Sequence, residues 1–159
     1  MRRAFTLVEL MIILAVLGIL AAIVVPYYSE STDLARIETM AVNVSEVRLQ
    51  IIAHAGKGDV DLSPGGSPKQ VESTWFRNNT FPEHAWTARP MSIEVVNAAA
   101  DVVYPAVKVY GPGVSDSWYN ATNGAFCVRV PAMRTDALTL ETFNNANKVG
   151  ATTLNQTTN

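Results

Sequence analysis

The sequence predicts an α+β protein in which one long N-terminal α-helix packs on a small antiparallel β-sheet. Three observations lead to this prediction. An uncharged apolar run fills residues 11–25, helical periodicity continues to Ala55, and short alternating segments separated by turn residues follow. With 159 residues, the chain has room for one small domain besides the apolar segment.

The composition argues against several classes of function. The formal net charge is -2, so no excess of positive charge favours binding to nucleic acid. Cys127 is the single cysteine, which excludes an intramolecular disulfide. Together with His54 and His84 it is too scattered in the sequence for a structural zinc site. We therefore expect no metal and no cofactor.

The first thirty residues are the most informative part of the chain. Residues 5–25 are long enough to span a bilayer, which takes about 20 apolar residues. Arg2 and Arg3 precede this segment and would keep the N-terminus in the cytoplasm under the positive-inside rule. Glu9 lies inside the segment, where a carboxylate costs about 2.5–3.5 kcal/mol on insertion scales, and such a residue usually has a function and a partner.

Three interpretations of this segment compete. A cleaved secretory signal would need a small-residue cleavage site after the apolar run, whereas Pro26-Tyr27-Tyr28 follows it. A plain membrane anchor explains the length and orientation but leaves Glu9 unexplained. Cleavage between Ala4 and Phe5 supplies a partner, because the new α-amine could pair with Glu9 of a neighbouring subunit and set the register of a polymer.

The run from Arg2 to Leu10 resembles the processing site of type IV prepilins and type II secretion pseudopilins. The resemblance implies that a prepilin peptidase cuts between Ala4 and Phe5 and methylates the amine of Phe5. It also implies that Glu9 is the residue that directs assembly and register. Ala4 departs from the family pattern, which usually has glycine at this position.

Two further residues match the resemblance. Gly18 and Pro26 stand where the family has a glycine and a proline that soften the helix. Pro26 also lacks an amide donor and clashes with the preceding turn, which predicts a kink between an apolar and an amphipathic half.

The domain boundaries combine this resemblance with the periodicity of the sequence. The resemblance implies that residues 1–4 are the leader peptide and that residues 5–28 are the transmembrane and filament-core helix. Residues 29–150 form a pilin-like globular domain that includes an amphipathic helix over 29–55. Residues 151–159, rich in Thr and Asn, are predicted to form a flexible tail.

Turn residues divide the globular domain. Gly56 and Gly58 end the long helix, and a loop follows whose Gly65-Gly66-Ser67-Pro68 run lacks the Gly-Lys-Ser/Thr ending of a phosphate loop. An aromatic loop at 81–86 and strands at 91–96 and 102–110 follow. A hairpin is predicted over 118–130, with its turn at Asn123-Gly124 and one buried face. The last element is a helix over 136–149, capped by Asp136 and ended by Gly150.

The sequence thus predicts a structural protein and not an enzyme, most consistent with a type II secretion pseudopilin. The alternatives are a major or minor type IV pilus pilin and, in another class, a single-pass membrane-anchored surface binding protein. The resemblance implies as partners copies of the chain, other pilin-like subunits, the prepilin peptidase and an inner-membrane assembly platform. It places the chain in the bacterial inner membrane, N-terminus in the cytoplasm and globular domain in the periplasm, before assembly into a pseudopilus or surface filament.

Overall fold

The computed structural model describes residues 6–158, apart from the side chains of residues 25–30. Two compact units are distinguished, one ending at Ala35 and the other beginning at Arg36, and the predicted domain limits stay predictions. The predicted α+β class is confirmed. In chain order the elements are α1 (Leu7–Lys57), two short 3-10 turns (Ser73–Trp75 and Arg77–Asn79), β1 (Glu83–His84), β2 (Arg89–Pro90), β3 (Ile93–Val96), β4 (Ser117–Asn120), β5 (Ala125–Val128) and α2 (Asp136–Asn147).

Helix α1 continues through position 26 and ends at Lys57. Gly58 follows with a φ of 66°, and its N–H donates to the carbonyl of His54 at 3.3 Å. A left-handed residue here is the usual device for ending a helix, and glycine adopts it without steric cost. The predicted stop at glycine is therefore confirmed for Gly58, and the kink at Pro26 stays a prediction.

The buried stripe of α1 within the globular unit contacts the sheet and α2. Met40, Val44, Val47 and Ile51 recur at helical spacing and are at most 3% exposed. They belong to one core cluster with β4, β5 and α2, whose central members are Tyr119, Phe126, Val128 and Phe143. This core fixes the sheet against α1.

The three-stranded sheet has the order β3-β4-β5 and is mixed, not purely antiparallel as predicted. The hairpin of β4 and β5 is antiparallel and turns at Asn123-Gly124, as predicted. Strand β3 pairs with β4 in parallel, with Ile93 opposite Ser117. A parallel pair needs a crossover, and the irregular segment after β3 provides it.

The second strand of the hairpin is buried on both faces, where the sequence predicted one. Cys127 and Arg129 are 1% and 4% exposed, although they alternate with the core residues Phe126 and Val128. Main-chain groups of the 103–107 segment cover them: Cys127 Sγ lies 3.7 Å from the carbonyl of Val103, and Arg129 Nε donates to the carbonyl of Val107.

Other local predictions need correction. Residues 102–110 form no strand and contribute only an isolated parallel bridge between Val109 and Val130. The aromatic loop at 81–86 contains β1, which pairs with β2 in a small antiparallel hairpin. Thr135, not Asp136, caps α2, because its Oγ1 accepts from the N–H of Leu138 at 3.2 Å.

The end of α2 also differs from the prediction, and the residues after it contact the globular unit. Lys148, with a φ of 51°, ends α2 in place of Gly150. The described residues after it contain no helix or strand, but they are bonded to the globular unit: the carbonyl of Thr157 accepts from the N–H groups of Val103 and Tyr104. The flexibility predicted for residues 151–159 stays a prediction.

Candidate assembly site

Helix α1 begins with a reciprocal cap formed by Thr6 and Glu9. The N–H and the hydroxyl of Thr6 both donate to Oε2 of Glu9 at 2.9 Å, and the N–H of Glu9 donates to Thr6 Oγ1 at 3.2 Å. This is a capping box, which pairs amides that the first turn of a helix leaves without an intrahelical acceptor. The Thr-x-x-Glu spacing is the sequence signal of such a cap, and the sequence-based prediction did not include it.

The cap occupies one carboxylate oxygen of Glu9. In the described part of the chain Oε1 accepts no hydrogen bond, and the side chain is exposed. The predicted cleavage and methylation positions, Ala4 and Phe5, lie outside the described residues. The geometry therefore leaves one lone-pair-bearing oxygen of Glu9 open to a donor from outside the described chain.

Behind the cap, α1 exposes a continuous apolar surface. Leu7–Val24 is long and apolar enough to cross a membrane by length and composition, with a mean hydropathy of 2.9, and none of it is buried. A hydrophobic surface of this extent needs lipid or protein to cover it. Large exposed side chains lie along the whole segment, among them Leu10, Met11, Ile12, Leu14, Leu17, Ile19, Leu20 and Ile23.

The two helix-softening positions differ in what can be described. Gly18 lies within the exposed segment, and a Cβ built there would meet no atom within 4 Å. The side chain of Pro26 lies outside the described residues. Gly18 therefore offers a place where another helix could approach the backbone of α1 closely.

A polar cleft of about 590 Å³ opens beside the C-terminal end of α1. His54 stacks on Trp75 with ring centroids 4.3 Å apart, and its Nδ1 lies 3.0 Å from Oδ1 of Asp59. Asp61 pairs with Lys69 at 3.6 Å. No group of three or more His, Cys, Asp or Glu residues suited to a metal occurs among the side chains that the structure describes.

Burial favours the uncharged forms of three groups in the globular unit: His84, Tyr119 and Cys127. His84 is fully buried, its Nε2 donates to the carbonyl of Arg129 at 2.9 Å, and burial lowers its pKa. Burial raises the pKa of Tyr119 to about 12 and that of Cys127 to about 11. A neutral, buried thiol is a poor nucleophile at physiological pH.

One buried cation was not singled out from the sequence. Lys108 is 2% exposed, and burial lowers its pKa. Its Nζ donates to the carbonyls of Pro105, Leu154 and Gln156, so all three of its N–H donors have an acceptor. No signal in the sequence distinguishes this lysine, because its acceptors are main-chain groups, two of them far from it in the chain.

Comparisons with known proteins find a methylation motif at the N-terminus and relatives that are fimbrial proteins. A family model described as the prokaryotic N-terminal methylation motif matches residues 1–25. The fimbrial protein EcpB of Eikenella corrodens is 38% identical over 68 residues, which span 41% of this chain and 43% of that protein. Two probable minor fimbrial proteins of Dichelobacter nodosus are 25% and 24% identical over 141 residues, 77% of this chain and 89% of each relative. No solved structure matches the chain.

The apolar, capped helix and the methylation motif occupy the same end of the chain, and two of these relatives align over most of its length. The motif at residues 1–25 and the similarity to fimbrial proteins both agree with the resemblance of the N-terminus to type IV prepilins.

Proposed function

We propose that this chain is a subunit of a type IV pilus that is cut between Ala4 and Phe5, methylated on Phe5 and polymerised through α1. The observation that carries the proposal is the exposed apolar segment Leu7–Val24, whose first turn contains Glu9, and Oε1 of Glu9 accepts no hydrogen bond from the described residues. The fimbrial names of the relatives support a surface filament.

Before assembly, the subunit resides in the inner membrane. Arg2 and Arg3 hold the N-terminus in the cytoplasm, where the prepilin peptidase acts, and the globular domain lies in the periplasm. The limits are those predicted from the sequence: leader 1–4, membrane and filament-core helix 5–28, globular domain 29–150, and a C-terminal segment 151–159 whose residues 151–157 are hydrogen-bonded to that domain. The capping box lowers the cost of keeping Glu9 in the membrane, because Oε2 exchanges water for two donors of Thr6.

Assembly then brings the α-amine of Phe5 in one subunit to Oε1 of Glu9 in the next. The pair sets the axial register, since a slip would leave two charges buried without partners. Lipid is as apolar as a leucine-rich helix, so close packing and this charge pair must supply the preference for the filament over the membrane. Gly18 and Pro26 let the helix adjust as it leaves the bilayer, with an inner-membrane platform feeding subunits into the filament.

A second candidate is a subunit of a type II secretion pseudopilus. The single cysteine favours it, because the chain cannot staple its C-terminal region with a disulfide as many pilus-forming pilins do. Antibody labelling of intact cells separates the two functions. Labelled filaments at the surface support the pilus, and labelling only after the outer membrane is permeabilised supports the pseudopilus.

Substitutions at the cap test the assembly mechanism. Glu9→Gln keeps an acceptor for Thr6, because glutamine also serves in a capping box, but removes the charge. Thr6→Ala is the matched control: it keeps the charge and costs about 1 kcal/mol of helix capping. Losing one member of a buried charge pair costs about 2–5 kcal/mol, so Glu9→Gln should abolish filaments while Thr6→Ala only reduces their number.

The measurement is the yield of sheared filaments relative to the amount of subunit in the membrane. Normal membrane levels with no filaments in Glu9→Gln would support pairing between subunits. A wild-type filament yield in Glu9→Gln would refute the charge pair between subunits, and the role of Glu9 would then be that of a helix cap.

A further inference from the structure

The last described residues cross the globular unit as a strap, residues 151–157. At its start, the amide of the Asn144 side chain bonds both the N–H and the carbonyl of Ala151, at 3.0 and 2.9 Å. At its end, the carbonyl of Thr157 accepts from the N–H of Val103 at 2.8 Å and of Tyr104 at 3.0 Å. The strap is thus tied to the body at both ends.

Lys108 holds the middle of the strap. Its Nζ donates to the carbonyl of Leu154 at 2.9 Å and to the carbonyl of Gln156. The rings of Tyr104 and Phe143 lie 5.7 and 5.5 Å from the ammonium. A buried cation is costly unless its donors are all paired, and two of the three pairs come from the strap.

The strap also fixes the segment that covers the single thiol. Val103 donates its N–H to the strap, and its carbonyl lies 3.7 Å from Sγ of Cys127. Cys127 is 1% exposed. With one cysteine in the sequence, no covalent link within the chain can close this region.

We propose that residues 151–157 form a releasable strap with Lys108 as its clasp, and that opening the strap uncovers the 103–104 backbone and Cys127. The strap contributes main-chain carbonyls to Lys108, to Val103 and to Tyr104, so its closure depends on donors of the body, among them the ammonium of Lys108. Removing the ammonium leaves two strap carbonyls without a donor and frees the strap at its centre.

The test is the reactivity of the full chain, purified in detergent, with iodoacetamide and carboxypeptidase. Lys108→Met keeps the volume of the side chain and removes the donors. Because hydrogen bonds to charged groups are among the stronger ones, we expect local opening, and both Cys127 alkylation and trimming of the C-terminus should accelerate by about tenfold or more. The matched control is Lys69→Met, since the side chain of Lys69 is 60% exposed and pairs with the exposed carboxylate of Asp61.

A chain truncated after Thr152 provides the second variant. It removes most of the strap and should expose Cys127 to the same degree, with the far-UV circular dichroism of the wild type. If Lys108→Met unfolds, the truncated chain decides the matter. The proposal would be overturned if Cys127 of the truncated chain were alkylated at the wild-type rate. It would also be overturned if a folded Lys108→Met variant showed wild-type rates of both alkylation and trimming.

Discussion

Replacing Gly65 with alanine perturbs the contact between the glycine-rich loop and the turn of the β4–β5 hairpin. A Cβ at Gly65 would lie 1.9 Å from the carbonyl oxygen of Thr122, where real Cβ atoms essentially never come closer than 3.0 Å. The loop and the turn must therefore separate by about 1 Å, and such overpacking destabilises the folded state.

The turn cannot yield easily. The N–H of Thr122 donates to Oδ1 of Asn120 at 3.1 Å, and the N–H of Ala121 donates to the carbonyl of Val96 at 2.9 Å. On the loop side, the carbonyl of Pro68 accepts from the hydroxyl of Tyr119 at 2.7 Å. We expect Gly65→Ala to lower the free energy of unfolding by about 1–3 kcal/mol, a fall in Tm on the order of 5–10 °C.

The assay is thermal and urea unfolding of the full chain in detergent, followed by near-UV circular dichroism. Gly111→Ala is the matched control, because a Cβ there would meet nothing within 4 Å and its φ is not in the left-handed region. Equal free energies of unfolding for Gly65→Ala and Gly111→Ala would refute the conclusion that the contact with Thr122 requires glycine at position 65.

Two further predictions concern buried groups. The lowered pKa of His84 means that the folded chain resists protonation more than the unfolded chain, whose imidazole titrates near 6.5. The free energy of unfolding should therefore fall as the pH drops below about 6.5. Between pH 7.5 and 5, His84→Gln should lose less Tm than the wild type. The same pH dependence of Tm in both proteins would contradict this role of His84. Cys127, with its pKa raised to about 11, should resist alkylation at pH 8 in the native chain and react fully in denaturant, whereas rapid native labelling would mean that the thiol is not covered.

The sequence predicted the elements whose signals are local. The periodicity of α1, the glycine at its end and the Asn123-Gly124 turn each depend on a few neighbouring residues, and the structure contains all three. The N-terminal motif is local as well, which is why Glu9 and the apolar segment could be singled out from the order of residues alone.

The misplaced features depend on distant parts of the chain. The parallel pairing of β3 with β4 and the burial of Cys127 on the second face of β5 arise from the 97–109 segment, whose path has no periodic signature. The strap depends on Lys108, whose acceptors lie more than forty positions later at Leu154 and Gln156. Alternation in a strand indicates which face packs on the core, but it cannot show that a loop also buries the opposite face.

The central claim is prepilin-type processing, and the mass of the N-terminal peptide from membrane-derived protein tests it most directly. We expect a chain that starts at Phe5 and is about 14 Da heavier than the mass calculated from its sequence, because one methyl group is added to the amine. A chain that still starts at Met1 would contradict it: the α-amine could not lie near Glu9, and a membrane-anchored surface binding protein would become the better explanation.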